Sequence, residues 1–142
     1  MASQYCSADE SYELRRRVRT GDVAKVKSWL KDGKGDLLEA GKTERGWTPL
    51  HIACWGTAKP QSDKDMVEAL LFFAQKAGKD KEDAVRNSRD KKEGLTPVDL
   101  AKQRRDALAG QKVSEDNSTA IEEKRKFEKI IEWLEKGLPS AA

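Results

Sequence analysis

The sequence predicts an all-α fold built from about three stacked helix-turn-helix pairs, because two short motifs alternate along the chain. The first motif reads GWTPLHIA at residues 46–53 and GLTPVDLA at residues 94–101, so its two threonines lie 48 positions apart. The second motif is a short apolar segment at residues 26–33, 67–71 and 130–137. Segments that resemble one another along a chain indicate a repeat architecture, in which each unit buries its apolar face against the next.

The first motif predicts the start of a helix. Thr48 and Thr96 are residues whose hydroxyl oxygens cap the free backbone N–H groups of a first helical turn. The proline that follows each threonine sits at the first helical position, where it loses no hydrogen bond. Thr96 and Asp99 also have the spacing of a capping box, in which two residues cap each other's backbone N–H groups.

The second motif predicts helices with one apolar face. Apolar residues recur there at spacings of three and four, which place side chains on one side of a helix. The two clearest stripes are Met66, Val67, Leu70, Leu71 and Ala74, and Phe127, Ile130, Ile131 and Leu134. Trp29 and Trp133 lie on similar stripes, so we expect both in the core.

The composition fits one polar domain and argues against several function classes. The 142 residues carry 28 basic and 25 acidic side chains, and a net charge of +3 is too small to indicate nucleic-acid binding by itself. No apolar run approaches the roughly 18 residues of a membrane span, and residues 1–4 (MASQ) do not resemble a secretion signal. Cys6 lies in a polar segment and Cys54 in an apolar one, so we expect no disulfide and a reducing compartment. We predict a protein of the cytoplasm or nucleus that does not bind membranes.

The histidine content argues against catalysis. His51 is the only histidine, which excludes a histidine-based catalytic triad or a metal site with two histidines. His51 and Cys54 share a helix face and are too few to make a metal site on their own. We therefore predict no enzymatic activity, no cofactor and no metal ion.

The TPLH tetrapeptide at residues 48–51, followed by IAC and then by a Val-x-x-Leu-Leu segment, resembles the ankyrin repeat. That resemblance implies an ankyrin-repeat solenoid, in which each repeat has an inner helix, an outer helix and a hairpin loop. It also implies that His51 is structural and ties its turn to the adjacent backbone, with Asp99 in its place in the last repeat.

The resemblance covers residues 12–137, with repeats at about 13–43, 44–90 and 91–137. Because the ankyrin period is about 33 residues, the longer spacing of the two threonines requires insertions, which we place at residues 57–65, 76–84 and 106–118. We expect the last outer helix to begin near Thr119, and we expect flexible tails at residues 1–11 and 138–142.

The resemblance further implies a non-catalytic module, such as an adaptor, that binds a partner protein through its concave face and hairpin tips. Trp47, Trp55 and Leu95 are apolar at positions where the repeat does not require it, as in an interface hot spot. The alternative is that Trp47 packs over the neighbouring hairpin and that Trp55 covers its own helix. We expect a monomer whose partner-binding residues are Glu44, Arg45, Trp47, Trp55, Lys92, Glu93, Leu95, Gln103 and Arg104.

A cluster of arginines near the N-terminus suggests a second interpretation. Arg15, Arg16, Arg17 and Arg19 either form the solvated side of a capping helix or form a basic patch that contacts nucleic acid or an anionic surface. The cluster lacks the interleaved aromatic residues that single-stranded nucleic acid favours. We therefore expect a protein partner rather than a nucleic acid.

Overall fold

The structure, a computed structural model, describes residues 2–35, 37, 46–110 and 118–137. Within these ranges it is all-helical, as predicted, and it contains no strand. The helices are α1 (Ala2–Thr20), α2 (Val23–Lys31), α3 (Pro49–Trp55), α4 (Asp63–Lys76), α5 (Lys79–Arg86), α6 (Pro97–Gly110) and α7 (Ser118–Lys136), with a 3-10 turn at Pro60–Ser62 before α4.

The helices pack in two rows. The first row consists of α1, α3 and α6, in which α3 contacts both of the others. The second row consists of α2, α4 and α7, in which α4 contacts both of the others. Because α1 also packs on α2, α3 on α4 and α6 on α7, the chain stacks three helix pairs, and α5 packs beside α4.

One continuous apolar core lies between the two rows. Leu14 and Val18 of α1, Leu50 of α3 and Leu100 of α6 meet the predicted stripes of α4 and α7, every member of which is buried. Those stripes are Met66, Val67, Leu70, Leu71 and Ala74, and Phe127, Ile130, Ile131 and Leu134. The prediction of one apolar face for each of these helices is therefore confirmed.

The two tryptophans expected in the core differ in their burial. Trp133 is buried, whereas Trp29 is half-buried and packs against the edge of the core. The indole nitrogen of Trp29 donates a hydrogen bond to the Glu10 carbonyl at 3.0 Å. The guanidinium of Arg17 lies 4.1 Å from the centre of the Trp29 ring, so this side chain joins α2 to α1.

Both helix starts that the first motif predicts are present. Thr48 and His51 form a capping box at the start of α3, with Pro49 in the first turn. At the start of α6 the Thr96 N–H donates to Asp99 Oδ2 at 3.0 Å, and the Asp99 N–H donates to Thr96 Oγ1 at 3.4 Å. The same local geometry therefore begins two helices of the first row.

The predicted N-terminal tail differs from the structure, in which α1 already begins at Ala2. No glycine or proline interrupts residues 2–20, so a single helix continues through them. The Glu10 carbonyl, which bonds to Trp29, lies inside the segment predicted as a tail. Residues 138–142, the predicted C-terminal tail, lie outside the described residues.

The predicted insertions contain more helix than expected. Of residues 57–65 only the first few form a loop, because α4 begins at Asp63. Residues 76–84 include the end of α4 and most of α5, which is anchored by the buried side chain of Val85. In the third insertion α6 continues to Gly110 and α7 begins at Ser118, one residue before the predicted start. None of the helices in the described ranges has the length and apolar character needed to cross a membrane.

Candidate functional site

A pair of tryptophans marks the candidate site. Trp47 directly precedes the Thr48 cap, and Trp55 is the last residue of α3. Their ring centroids are 5.8 Å apart and their planes are inclined by 54°, a tilted geometry that aromatic pairs favour. Trp55 is 37% exposed and Trp47 is half-buried, so the pair presents an apolar face to solvent at the centre of the first row.

Asp90 fixes the position of Trp47. The indole nitrogen of Trp47 donates to Asp90 Oδ2 at 3.1 Å, and Asp90 Oδ1 accepts from the backbone N–H groups of Glu93 at 2.9 Å and Leu95 at 3.1 Å. Burial opposes the ionised carboxylate, but these donors outweigh it and lower the pKa of Asp90 below its ordinary value. The anionic carboxylate therefore organises the turn at residues 90–95 and attaches Trp47 to it.

His51 joins the same turn to α3. Its Nδ1 accepts from the Thr48 N–H at 3.2 Å and lies 2.8 Å from Thr48 Oγ1, so the ring proton is on Nε2. That Nε2–H donates to the Leu95 carbonyl at 2.8 Å. Burial lowers the pKa of His51, which favours this neutral form. The structural role expected for His51 is confirmed, since both ring nitrogens bond to the surrounding turns.

Arg104 completes the candidate site from α6. Its guanidinium carbon lies 5.6 Å from the centre of the Trp55 ring and 5.9 Å from that of Phe127, within the range of cation–π contacts. The side chain is half-buried, and its Nε is buried without a hydrogen-bond partner. We call the surface formed by Trp47, Trp55 and Arg104 the tryptophan surface.

The other predicted partner-binding residues are not all part of this surface. Lys92 and Glu93 are exposed on the turn at residues 90–95, and Gln103 is exposed on α6. The side chain of Leu95 is half-buried and packs against the core. Glu44 and Arg45 lie outside the described residues.

The predicted arginine patch is divided among different environments. Arg15 is buried, with 8% of its surface exposed, because it falls on the side of α1 that faces the protein. Arg16 and Arg17 both bond to Glu13, at 2.6 Å and 3.0 Å, and these two partners lower the pKa of Glu13 to about 2. Arg19 is exposed. The four arginines therefore do not form one continuous basic surface.

His51 and Cys54, the two residues that share a helix face, are not well placed to hold a metal ion. His51 has both ring nitrogens in hydrogen bonds. Cys54 is fully buried, and its pKa is raised by burial and by the charge of Asp63. Among the described residues there is no group of three or more histidine, cysteine, aspartate or glutamate side chains that could hold an ion.

Sequence reasoning missed two side chains that shape the site. Asp90 was not singled out, although an aspartate shortly before a glycine is a common way to hold a tight turn. Phe127 was expected only in the core, where it is fully buried, and its contact with Arg104 depends on how α7 packs against α6.

Comparison of the chain with family models, curated proteins and solved structures finds no match.

Proposed function

We propose that this chain is a short ankyrin-type repeat protein that binds another protein, without catalysis, through the tryptophan surface. Three stacked helix pairs in two rows are the arrangement expected of such a repeat. The paired caps at Thr48 and Thr96, together with the bond from His51 to the next turn, support the same assignment.

The observation that carries the binding proposal is the exposure of Trp55. A tryptophan that served only the core would be buried, yet Trp55 is 37% exposed beside Trp47. Tryptophan and arginine are the residues most enriched in the hot spots of protein interfaces, and such residues lie near the centre of the contact. Because α3 is the middle helix of the first row, Trp55 occupies a central position.

A basic adaptor for nucleic acid has less support. Of the four arginines, Arg15 is buried, and Arg16 and Arg17 share the carboxylate of Glu13. An extended phosphate backbone is bound through several free cations, and its affinity falls steeply as salt rises. The monomeric state and the location in the cytoplasm or nucleus remain predictions.

Affinity capture with matched baits tests the proposal. The baits are the wild type, Trp55→Ser, the double variant Trp47→Ala/Trp55→Ala, and the control Phe72→Ser, which removes a 43% exposed aromatic from α4 in the other row. We expect a direct partner to bind Trp55→Ser roughly 30-fold more weakly than the wild type, as for a hot-spot residue, and to bind the control unchanged.

Two results would contradict the proposal. If the double variant keeps the unfolding midpoint of the wild type and also retains every partner, the tryptophan surface is not the binding site. If the captured partner disappears on nuclease treatment and binding weakens steeply with salt, the chain contacts nucleic acid instead.

A further inference from the structure

We infer that the partner segment that binds the tryptophan surface is acidic, and that one of its aspartate or glutamate side chains binds the guanidinium of Arg104. This inference rests on the proposed function and adds the chemistry of the partner to it. Three features support it: an incompletely satisfied cation, the lack of a carboxylate paired with it among the described residues, and an excess of basic side chains around the tryptophans.

The first feature is the state of Arg104. Its guanidinium lies against Trp55 and Phe127, and its Nε is buried with no hydrogen-bond partner. A buried N–H group without an acceptor is unfavourable, and the aromatic contacts strip water from a charge that they satisfy only in part. A carboxylate from a partner would pair with the part of this half-buried side chain that solvent reaches, because its two oxygens match the planar fork of an arginine.

The second feature is that several carboxylates of α6 and α7 pair with other basic residues. Asp106 accepts from Arg105 at 3.2 Å, and Glu135 lies 3.9 Å from Lys102. Glu123 pairs with Lys126 at 2.9 Å. None of the ion pairs among the described residues includes Arg104, so a carboxylate from a partner can pair with it.

The third feature is the charge around the tryptophan pair. On one side the side chain of Lys91 packs against Gly46, the residue before Trp47. On the other side the Ala58 N–H donates to the Arg19 carbonyl at 2.8 Å, which places the exposed residues Lys59 and Arg19 near the end of α3.

Acidic side chains in the same area offset only part of this charge. Asp90 is occupied by Trp47 and by backbone N–H groups, and Glu93 is exposed on the turn. Basic side chains around an apolar centre complement a segment that carries several carboxylates and an apolar residue that fits beside Trp55.

Selection from a random peptide library tests the inference without a known partner. The immobilised wild type is compared with Arg104→Gln, with Arg105→Gln and with Trp47→Ala/Trp55→Ala. Arg105→Gln is the matched control, because it removes the same charge from the adjacent position of α6, where Arg105 pairs with Asp106. We expect the wild type to enrich peptides in which aspartate or glutamate adjoins an aromatic or aliphatic residue.

One enriched peptide, synthesised with a fluorescent label, then measures the contact itself. We expect its affinity to fall roughly tenfold or more for Arg104→Gln, as for a charged hydrogen bond, and to stay unchanged for Arg105→Gln. A peptide in which amides replace the carboxylates should bind the wild type more weakly by the same factor. It should bind Arg104→Gln as well as the acidic peptide does. Arg104→Lys keeps the charge without the planar fork, so its affinity for the acidic peptide should lie between those of the wild type and Arg104→Gln.

The outcomes separate this inference from the proposed function. If the selected peptides need the tryptophans but are not acidic, or bind Arg104→Gln as well as the wild type, the carboxylate contact is wrong and the binding surface stands. If the wild type enriches no peptide beyond those that bind the double tryptophan variant, both proposals fail. Unfolding midpoints of all variants, measured by circular dichroism, exclude loss of the fold as the cause.

Discussion

Replacement of His51 separates the two contacts that this buried side chain makes. Its Nδ1 serves the helix cap at Thr48, and its Nε2–H bonds to the Leu95 carbonyl. In the second cap Asp99 makes only the first kind of contact, with its carboxylate oxygen 3.0 Å from the Thr96 nitrogen. We therefore expect His51→Asn to retain the cap through its amide oxygen and to lose the bond to Leu95, whereas His51→Ala loses both.

The expected destabilisation follows from these bonds. Loss of a side-chain cap costs about 1 kcal/mol. Loss of the bond to the Leu95 carbonyl, which keeps a hydrogen bond from the Asp90 N–H at 2.9 Å, costs about 0.5–1.5 kcal/mol. His51→Ala should thus lower the free energy of unfolding by about 1.5–2.5 kcal/mol, and His51→Asn by about 0.5–1.5 kcal/mol. Urea denaturation at pH 7.5, followed by far-ultraviolet circular dichroism, measures both values, and an unchanged m-value shows that the folded state is the same.

The pH dependence provides an independent check. Burial lowers the pKa of His51 below its ordinary value of 6.5, so the unfolded chain binds a proton at a higher pH than the folded chain does. The stability from neutral His51 is complete above pH 6.5 and is lost as the pH falls through the folded pKa, with a slope of at most about 1.4 kcal/mol per pH unit. Since His51 is the only histidine, both variants should lack this loss just below pH 6.5. The reasoning is refuted if the variants keep the pH dependence of the wild type, or if His51→Asn is as unstable as His51→Ala.

Three further predictions concern buried side chains. Leu50→Ala should destabilise the chain by about 2–5 kcal/mol, because Leu50 is fully buried, and an unchanged urea midpoint would contradict its place in the core. Asp63→Ala should cost about 1–3 kcal/mol, because it removes the buried acceptor of the Thr57 N–H and one of the two carboxylates, Asp63 and Glu123, that pair with Lys126. The cost should shrink in a Lys126→Met background, and additive costs would exclude this coupling. In a Cys6→Ser variant the Cys54 thiol should react with a disulfide reagent only as fast as the protein unfolds, because burial excludes the reagent and raises the thiol pKa. Rapid labelling of the native protein would instead place Cys54 at the surface.

The elements that the sequence predicted well are those determined by short-range patterns. A threonine followed by a proline specifies a helix start through its own first turn, and the stripes of α4 and α7 follow from a spacing of three and four residues. Helix α5 escaped prediction because Val85 is the only buried residue among its eight positions, too few to show a period. The N-terminal half of α1 escaped prediction for a related reason, since residues 2–11 contain little apolar periodicity.

The candidate site was predictable only in part. Trp47 and Trp55 stand out in the sequence because they are large apolar residues at positions where the resembled repeat does not require them. The bond from Trp47 to Asp90 spans 43 positions, and the contacts of Arg104 depend on how α6 packs against α3 and α7. Such contacts depend on the tertiary arrangement, so no local sequence pattern predicts them.

The same hydrogen bonds hold both the fold and the tryptophan surface, and this limits which variants can report on binding. Trp47 bonds to Asp90, and Asp90 and His51 together hold the turn at Leu95. A change at Trp47 therefore loosens that turn as well as the surface, so lost binding alone would not distinguish the two effects. Among the described residues no hydrogen bond ties the side chain of Trp55 or Arg104 to this turn, and both side chains pack against aromatic rings. Loss of binding at these two positions, with the unfolding midpoint unchanged, is therefore the result that assigns the surface to a partner rather than to stability.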